Sequence, residues 1–277
     1  MQTLEAGKVS GLRPGFRRIV APNGSVMTGS GTNTYLLGSE AVAVVDPGPA
    51  DRSHIDAIIS ACEGKLDTIF VTHTHRDHSP AAAILARECD ARMIGASPPS
   101  DPFQDTSFVP DQELSDGDLF ETPEWSLRAI HTPGHVGNHF CLLLENEGVL
   151  MTGDHIMNGS TVVIIPPSGD MKDYIDSLRK LLDHNISALA PGHGELMHEP
   201  EKVVEWIIEH RLERERKVIR SMKASGVSTI QELVKVVYDD VDESLHKMAS
   251  MSLWAHLIKL QKEHIAGTDD IRWFLLT

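Results

Sequence analysis

The chain has 277 residues, enough for one large domain or for a catalytic domain with a small companion. Its formal net charge of −15 disfavours a protein that lives on phosphate contacts, since nucleic-acid readers carry a basic surplus. No apolar run is long enough to span a membrane, the opening MQTLEAGKVSGLRPGF lacks a secretory apolar core, and three scattered cysteines (Cys62, Cys89, Cys141) build no disulfide framework; a cytoplasmic setting is expected.

In chain order, AVAVVD (Ala41–Asp46) is an apolar run that ends in an acid and is broken by PGP. A helical pattern follows, with Ile55, Ile58, Ile59 and Cys62 on one face. DTIFVTH reads as a second buried strand, and the alanines and leucine of PAAAILAREC favour helix. Strands are expected at Ser126–Thr132, His139–Glu145 and Val149–Thr152. Met171–Leu182 predicts a helix with Tyr174, Leu178 and Leu181 on its core face, and ISALAP (Ile186–Pro191) a strand ending in PGHG. This alternation predicts an α/β architecture with helices outside sheets. After Pro200 the pattern turns helical, at Glu201–Ala224, Ile230–Tyr238 and Leu245–Lys262, and closes on a strand-like tail, WFLLT. Three helices and a terminal hairpin suit a winged-helix-like module, so the expected domains are 1–200 and 201–277.

Candidate ligands stand where apolar runs give way to loops, which is where sites gather in α/β proteins. VTHTHRDHSP holds His73, His75, Asp77 and His78. In extended chain His73 and His75 project to one side, while Asp77 and His78 follow as a helix is expected to begin. Imidazole and carboxylate suit zinc, and also iron or manganese. Those four donors would fill one tetrahedral site, yet His135 in HTPGH, Asp154 in LMTGDH and His193 in APGHG repeat the context. The enlarged set is too rich for one zinc and fits two ions sharing a carboxylate, with room for water.

This set resembles the metallo-β-lactamase superfamily: the acid that ends Ala41–Asp46, the His-x-His-x-Asp-His run, then a His, an Asp and a His in order. The resemblance implies a four-layer αβ/βα sandwich with two divalent ions, zinc foremost and manganese or iron as substitutes. It implies His73, His75 and His135 on the first ion, Asp77, His78 and His193 on the second, and Asp154 bridging. Asp46 would orient ligands rather than bind metal. GTNTYLLG (Gly31–Gly38), GDHIM, STVVIIPPSGDMKDYIDSLRKL and MASMSLWAHLIKLQKE are similar to the β-lactamase-like protein 2 branch, which carries a C-terminal winged-helix-like domain. A eukaryotic member of that branch acts on single-stranded RNA.

Other polar residues receive plainer readings. His139 stands between support of a ligand, contact with substrate and simple packing, and His155 is expected to face away from the metals. His54, His184, His210 and His256 are read as structural or solvated, and Tyr174 as core. RLERERK (Arg211–Lys217) reads as an exposed helix face with a Glu213–Lys217 pair. From Val227 onward five Lys or Arg face eight Asp or Glu, which lacks the basic footprint of a nucleic-acid reader.

The function expected from all this is hydrolysis by a water activated between two metals, with Asp77 orienting that water and receiving its proton. A small ester, thioester or lactone is the leading substrate class, and a small molecule rather than a membrane is the expected partner. Single-stranded RNA phosphodiesters form the alternative, and an iron-dependent persulfide dioxygenase the alternative of another class. A homodimer is left open.

Overall fold

The structure is a computed structural model and describes residues 4–276. Its contacts divide the chain into two compact units. The first comprises the residues up to Thr132, Asn138–Thr161 and His184–Pro200; the second comprises Pro133–Gly137, Val162–Asp183 and the chain from Glu201 on.

The first unit is built on two sheets. Strands β1 (Ser10–Arg13), β2 (Phe16–Val20), β3 (Asn33–Leu37), β4 (Val42–Val45), β5 (Leu66–Phe70), β6 (Arg92–Gly95) and β7 (Gln112–Glu113) lie in that spatial order. Pairing is antiparallel from β1 to β4 and parallel from β4 to β7. The second sheet runs β13 (Met197–His198), β12 (Ala188–Pro191), β11 (Val149–Gly153), β10 (Phe140–Leu144), β9 (Ser126–His131), β8 (Leu119–Glu121), with only β11 and β12 parallel. Side chains alternate across each strand, so each sheet has two faces to cover. Tyr35, Leu37, Val45 and Phe70 pack against Leu127, Phe140, Leu142 and Met151 in one core between the sheets. The opposite face of the first sheet, with Leu36, Val44 and Ile69, buries Ile55, Ile58 and Cys62 of α1 (Arg52–Cys62) and Leu85 of α2 (Ala82–Cys89). Asp51 caps α1 by accepting from the His54 backbone N–H. Central strands buried on both faces read as unbroken apolar runs, which is why β4, VAVV, stands out in the sequence.

The second unit carries α3 (Met171–Leu181), α4 (Pro200–Ser225), α5 (Ile230–Val237) and α6 (His246–Lys262). A small sheet joins them, with β16 (Arg272–Leu275) between β14 (Ser228–Thr229) and β15 (Ala266–Thr268). Val218 and Met222 of α4, Leu233 and Val237 of α5, Leu253, Leu257 and Leu260 of α6 and Trp273 of β16 share its core. Thr229 and Glu232 form a reciprocal capping box that starts α5. The three helices and hairpin of a winged-helix module are thus present. Among the described residues no helix is long and apolar enough to cross a membrane.

Two local expectations are corrected. Asp77 and His78 lie in a turn, and α2 begins only at Ala82. The Ser79–Pro80 step explains the delay, because a residue before proline is pushed out of the helical region. RLERERK is not an exposed face throughout: Arg211 and Glu215 are buried. Lys217 pairs with Asp239 and Asp240, while Glu213 takes Arg216 and Arg220.

Candidate metal centre

Four loops of the first unit converge at strand ends. Asp46 follows β4 and adopts a left-handed backbone (φ 49°), a conformation that aspartate tolerates better than most residues. That turn sends its carboxylate inward. Asp46 Oδ1 accepts from the Thr72 backbone N–H at 2.8 Å, and Oδ2 accepts from the Thr72 hydroxyl at 2.7 Å. The same Oδ2 lies 3.0 Å from His78 Nδ1. A carboxylate there holds a proton on His78 Nδ1, so that Nε2 is the atom with the lone pair whenever the ring is neutral. Thr72 passes the effect on, because its oxygen sits 3.1 Å from His73 Nδ1 and accepts from it. His73 Nε2 is thereby an acceptor, and it faces His75 Nδ1 at 3.1 Å.

His78 Nε2 is buried, lies 3.5 Å from Asp77 Oδ2 and 3.4 Å from Asp154 Oδ1, and makes no well-formed hydrogen bond. His193 Nε2 stands 3.2 Å from Asp77 Oδ2 and 3.3 Å from Asp154 Oδ1. Its Nδ1 is 3.2 Å from the Gly31 carbonyl, to which it donates. Asp77, His78, Asp154 and His193 each offer a ligand atom within 4.8 Å of the others, and Asp154 is equally close to His73 and His75. Gly192 has to be a glycine for this packing: a Cβ there would stand 2.8 Å from His78 Cε1 and 2.9 Å from Asp154 Oδ1. An orphaned imidazole nitrogen, paired acceptors and a cradle that a methyl would fill suit a divalent cation better than they suit each other.

Charge follows geometry. Burial drives the His73 imidazole well below its ordinary pKa, and His78 and His75 reinforce the shift, so it is a neutral donor. Burial opposes protonation of His193 as well, yet the Asp154 and Asp77 carboxylates prevail and lift it to about 9. His78 is raised against its burial by Asp77, Asp154 and Asp46. Burial pushes Asp77 and Asp154 up, but the imidazoles beside them hold both below the usual carboxylate range. Protons on two imidazoles therefore neutralise the two acids until a cation replaces them.

Of the other residues singled out by sequence, His139 is fully buried behind His73, its ring centroid 5.1 Å away and its Nδ1 2.9 Å from Thr132 Oγ1. His155 is buried beyond it, 5.7 Å from the His139 ring. His135 stands on Pro133–Gly137, in the second unit, with Nδ1 2.8 Å from the Val163 carbonyl.

Sequence reasoning missed the residues that hold the His193 loop. Asn33 Nδ2 donates to the Pro191 and Gly194 carbonyls, both at 2.8 Å, and the Asn33 backbone N–H donates to Gly192 O at 2.7 Å. Tyr35 donates its hydroxyl to Pro191 O at 2.7 Å. His54 is structural and buried: Thr34 Oγ1 lies 2.9 Å from its Nε2 and donates to the Asp46 carbonyl at 2.7 Å. The available signal was the polar Asn33-Thr34 pair at the head of a fully buried strand that otherwise runs Tyr-Leu-Leu.

This site on this sandwich defines a class, and residues 27–193 match the metallo-beta-lactamase superfamily. Residues 229–273 match the beta-lactamase associated winged helix domain. The chain belongs to the metallo-β-lactamase superfamily and is a hydrolase of that superfamily with a C-terminal winged-helix domain. It is 34% identical to a beta-lactamase-like protein 2 homolog of Drosophila melanogaster, over 89% of this chain and 87% of the relative. It is 31% identical to an atrochrysone carboxyl ACP thioesterase of Aspergillus chevalieri, over 87% and 79%. A beta-lactamase domain protein from Burkholderia ambifaria shares the fold with a TM-score of 0.81 at 20% identity, over 98% of this chain and 94% of that one.

Proposed function

We propose that the chain holds two divalent cations and hydrolyses small acyl esters, with acyl thioesters as the leading class. The reading rests above all on His78 and His193, whose Nδ1 atoms are committed to Asp46 and Gly31 while both Nε2 atoms turn to Asp77 and Asp154. In it, His73, His75 and His135 would hold the first ion and Asp77, His78 and His193 the second, with Asp154 within reach of both donor groups. The bond between His135 Nδ1 and Val163 O supports Nε2 as that residue's ligand atom. Asp46 and His139 orient the ligands. Zinc suits these donors best, and manganese or iron would also bind. We take residues 1–200 as the catalytic domain and 201–277 as the winged-helix-like one, in a cytoplasmic protein.

When bound, two such cations lower the pKa of a water and polarise the acyl carbonyl. Asp77, whose side chain keeps 29% of its surface while His78 beside it keeps none, orients the water and takes its proton. A C–O bond forms, the C–S bond breaks, and the proton passes from Asp77 to the leaving thiolate. No serine or cysteine nucleophile is needed. The thioesterase name of one relative and the charge of −15 both favour this class over RNA phosphodiesters. A complete second donor group argues against a single-iron dioxygenase.

The test is a panel of acyl thioester, lactone, phosphodiester, single-stranded RNA and β-lactam substrates offered to zinc- or manganese-loaded protein. Thioester turnover is expected, and Asp77→Asn should lower kcat about 10²- to 10⁴-fold. Turnover of RNA without thioester would reject the substrate class.

A further inference from the structure

The five-residue segment that carries His135 is held from within the second unit. His135 Nδ1 donates to Val163 O at 2.8 Å, Ser177 Oγ donates to Pro133 O at 2.7 Å, and the Asp170 backbone N–H donates to Gly134 O at 2.8 Å. Gly134 lies so close to α3 that a Cβ there would fall 2.3 Å from Tyr174 Cα. The Val163, Tyr174 and Asp170 supports are in turn tied to the C-terminal helices. Arg211 of α4 donates through Nη2 to Val162 O, the carbonyl just before the one that receives His135. Its guanidinium carbon stands 5.4 Å from the Tyr174 ring centroid. Lys262 of α6 pairs with Asp170, which also caps the first turn of α3.

Burying a guanidinium is costly unless it is bonded, and Arg211 is only 5% exposed. A carbonyl partner returns no charge neutralisation, so core packing alone would favour an apolar side chain at this position. What the arginine adds is a charge-assisted bond that fixes the Val162–Val163 backbone, and with it the tautomer and ring angle of His135.

We propose that Arg211 is a positioning residue for His135, fixing the tautomer and ring angle with which that histidine would bind the first metal. The inference rests on the reading of His135 as a ligand given above. It is tested on the full-length chain loaded with Co²⁺, whose visible bands report each ion, with affinities read by chelator competition and folding by circular dichroism. Arg211→Met keeps the stem over Tyr174 and removes the donors. It should weaken the first ion about 10- to 100-fold and leave the second, held by Asp77, His78 and His193, unchanged. Arg211→Lys, which retains one donor, should lose less.

Wild-type affinity for both ions in Arg211→Met would overturn the proposal, and so would equal weakening of both. If that variant does not fold, Lys262→Ala decides: that side chain is 49% exposed, and its loss should weaken the first ion several-fold. Unchanged affinity there would then count against the proposal. His135→Ala separates the two levels. If it sheds the first ion while Arg211→Met keeps both, only the positioning role falls; if it also keeps both, the reading of His135 as a ligand falls first.

Discussion

Gly192 lacks a side chain because the space a methyl needs is already taken by His78 and Asp154. Gly192→Ala should therefore cost about 1–3 kcal/mol of stability and, more tellingly, displace one of the two metals proposed above. Chelator competition would show it; two ions held as in wild type would contradict it. His193 predicts a pH effect with a definite sign. Its imidazole is raised from 6.5 to about 9, so the stability it gives the metal-free protein is complete below pH 6.5 and lost as pH rises through about 9. In the proposed site a metal would bind the deprotonated ring, so affinity should rise over that same interval. Calorimetry at pH 7.5 in buffers of different ionisation enthalpy should detect protons released on loading, and far fewer above pH 9.5. Release that does not change with pH would contradict the assignment. At this scale the clustered candidate ligands were legible, because His73 to His78 are neighbours in the chain. Asn33 was not, since its partner Pro191 lies 158 residues away and a hydrogen bond leaves no mark at that distance.

Among elements, legibility followed burial. Strands β4, β5, β9, β10, β11 and β12, the tail strand β16 and helices α1 to α6 announced themselves by apolar runs, helix-favouring composition or period, since burial on one or both faces dictates composition. Strand β2 did not, because FRRIV carries two arginines in its interior. Arg17 reaches the carbonyls of Ala61 and Gly38, and Arg18 binds Glu195 and the Gly194 carbonyl, so charges sit where apolar residues are expected. Strands β7, β8 and β13 are too short for any period to register. The α4–α6 contact held a second surprise: Lys259 Nζ lies 2.8 Å from Glu215 Oε1, both largely buried, with His256 Nδ1 3.5 Å from Glu215 Oε2. Lys259→Ala leaves that carboxylate without its cation and should lose about 3–5 kcal/mol in urea unfolding. Replacing both partners, Glu215→Gln with Lys259→Met, should recover most of the loss. A single variant as stable as wild type would show that the pair contributes nothing.

For the whole molecule, the sandwich provides parallel strand ends as ligand platforms, and loops after β4, β5, β11 and β12 bring Asp46, His73, His75, Asp77, His78, Asp154 and His193 into one cluster. The alternation of strand-like and helical patterns made the fold class legible and the ordered motif made the cluster legible, but the scissile bond is written in neither. Specificity depends on the surface a substrate meets, and such surfaces follow no period. The claim on which everything else depends is that two cations act together. Titrating metal-free chain with zinc while following acyl-thioester hydrolysis tests it directly. Activity should climb to a plateau at two equivalents per chain; a plateau at one equivalent, or one bound iron with oxygen uptake and no hydrolysis, would contradict that claim.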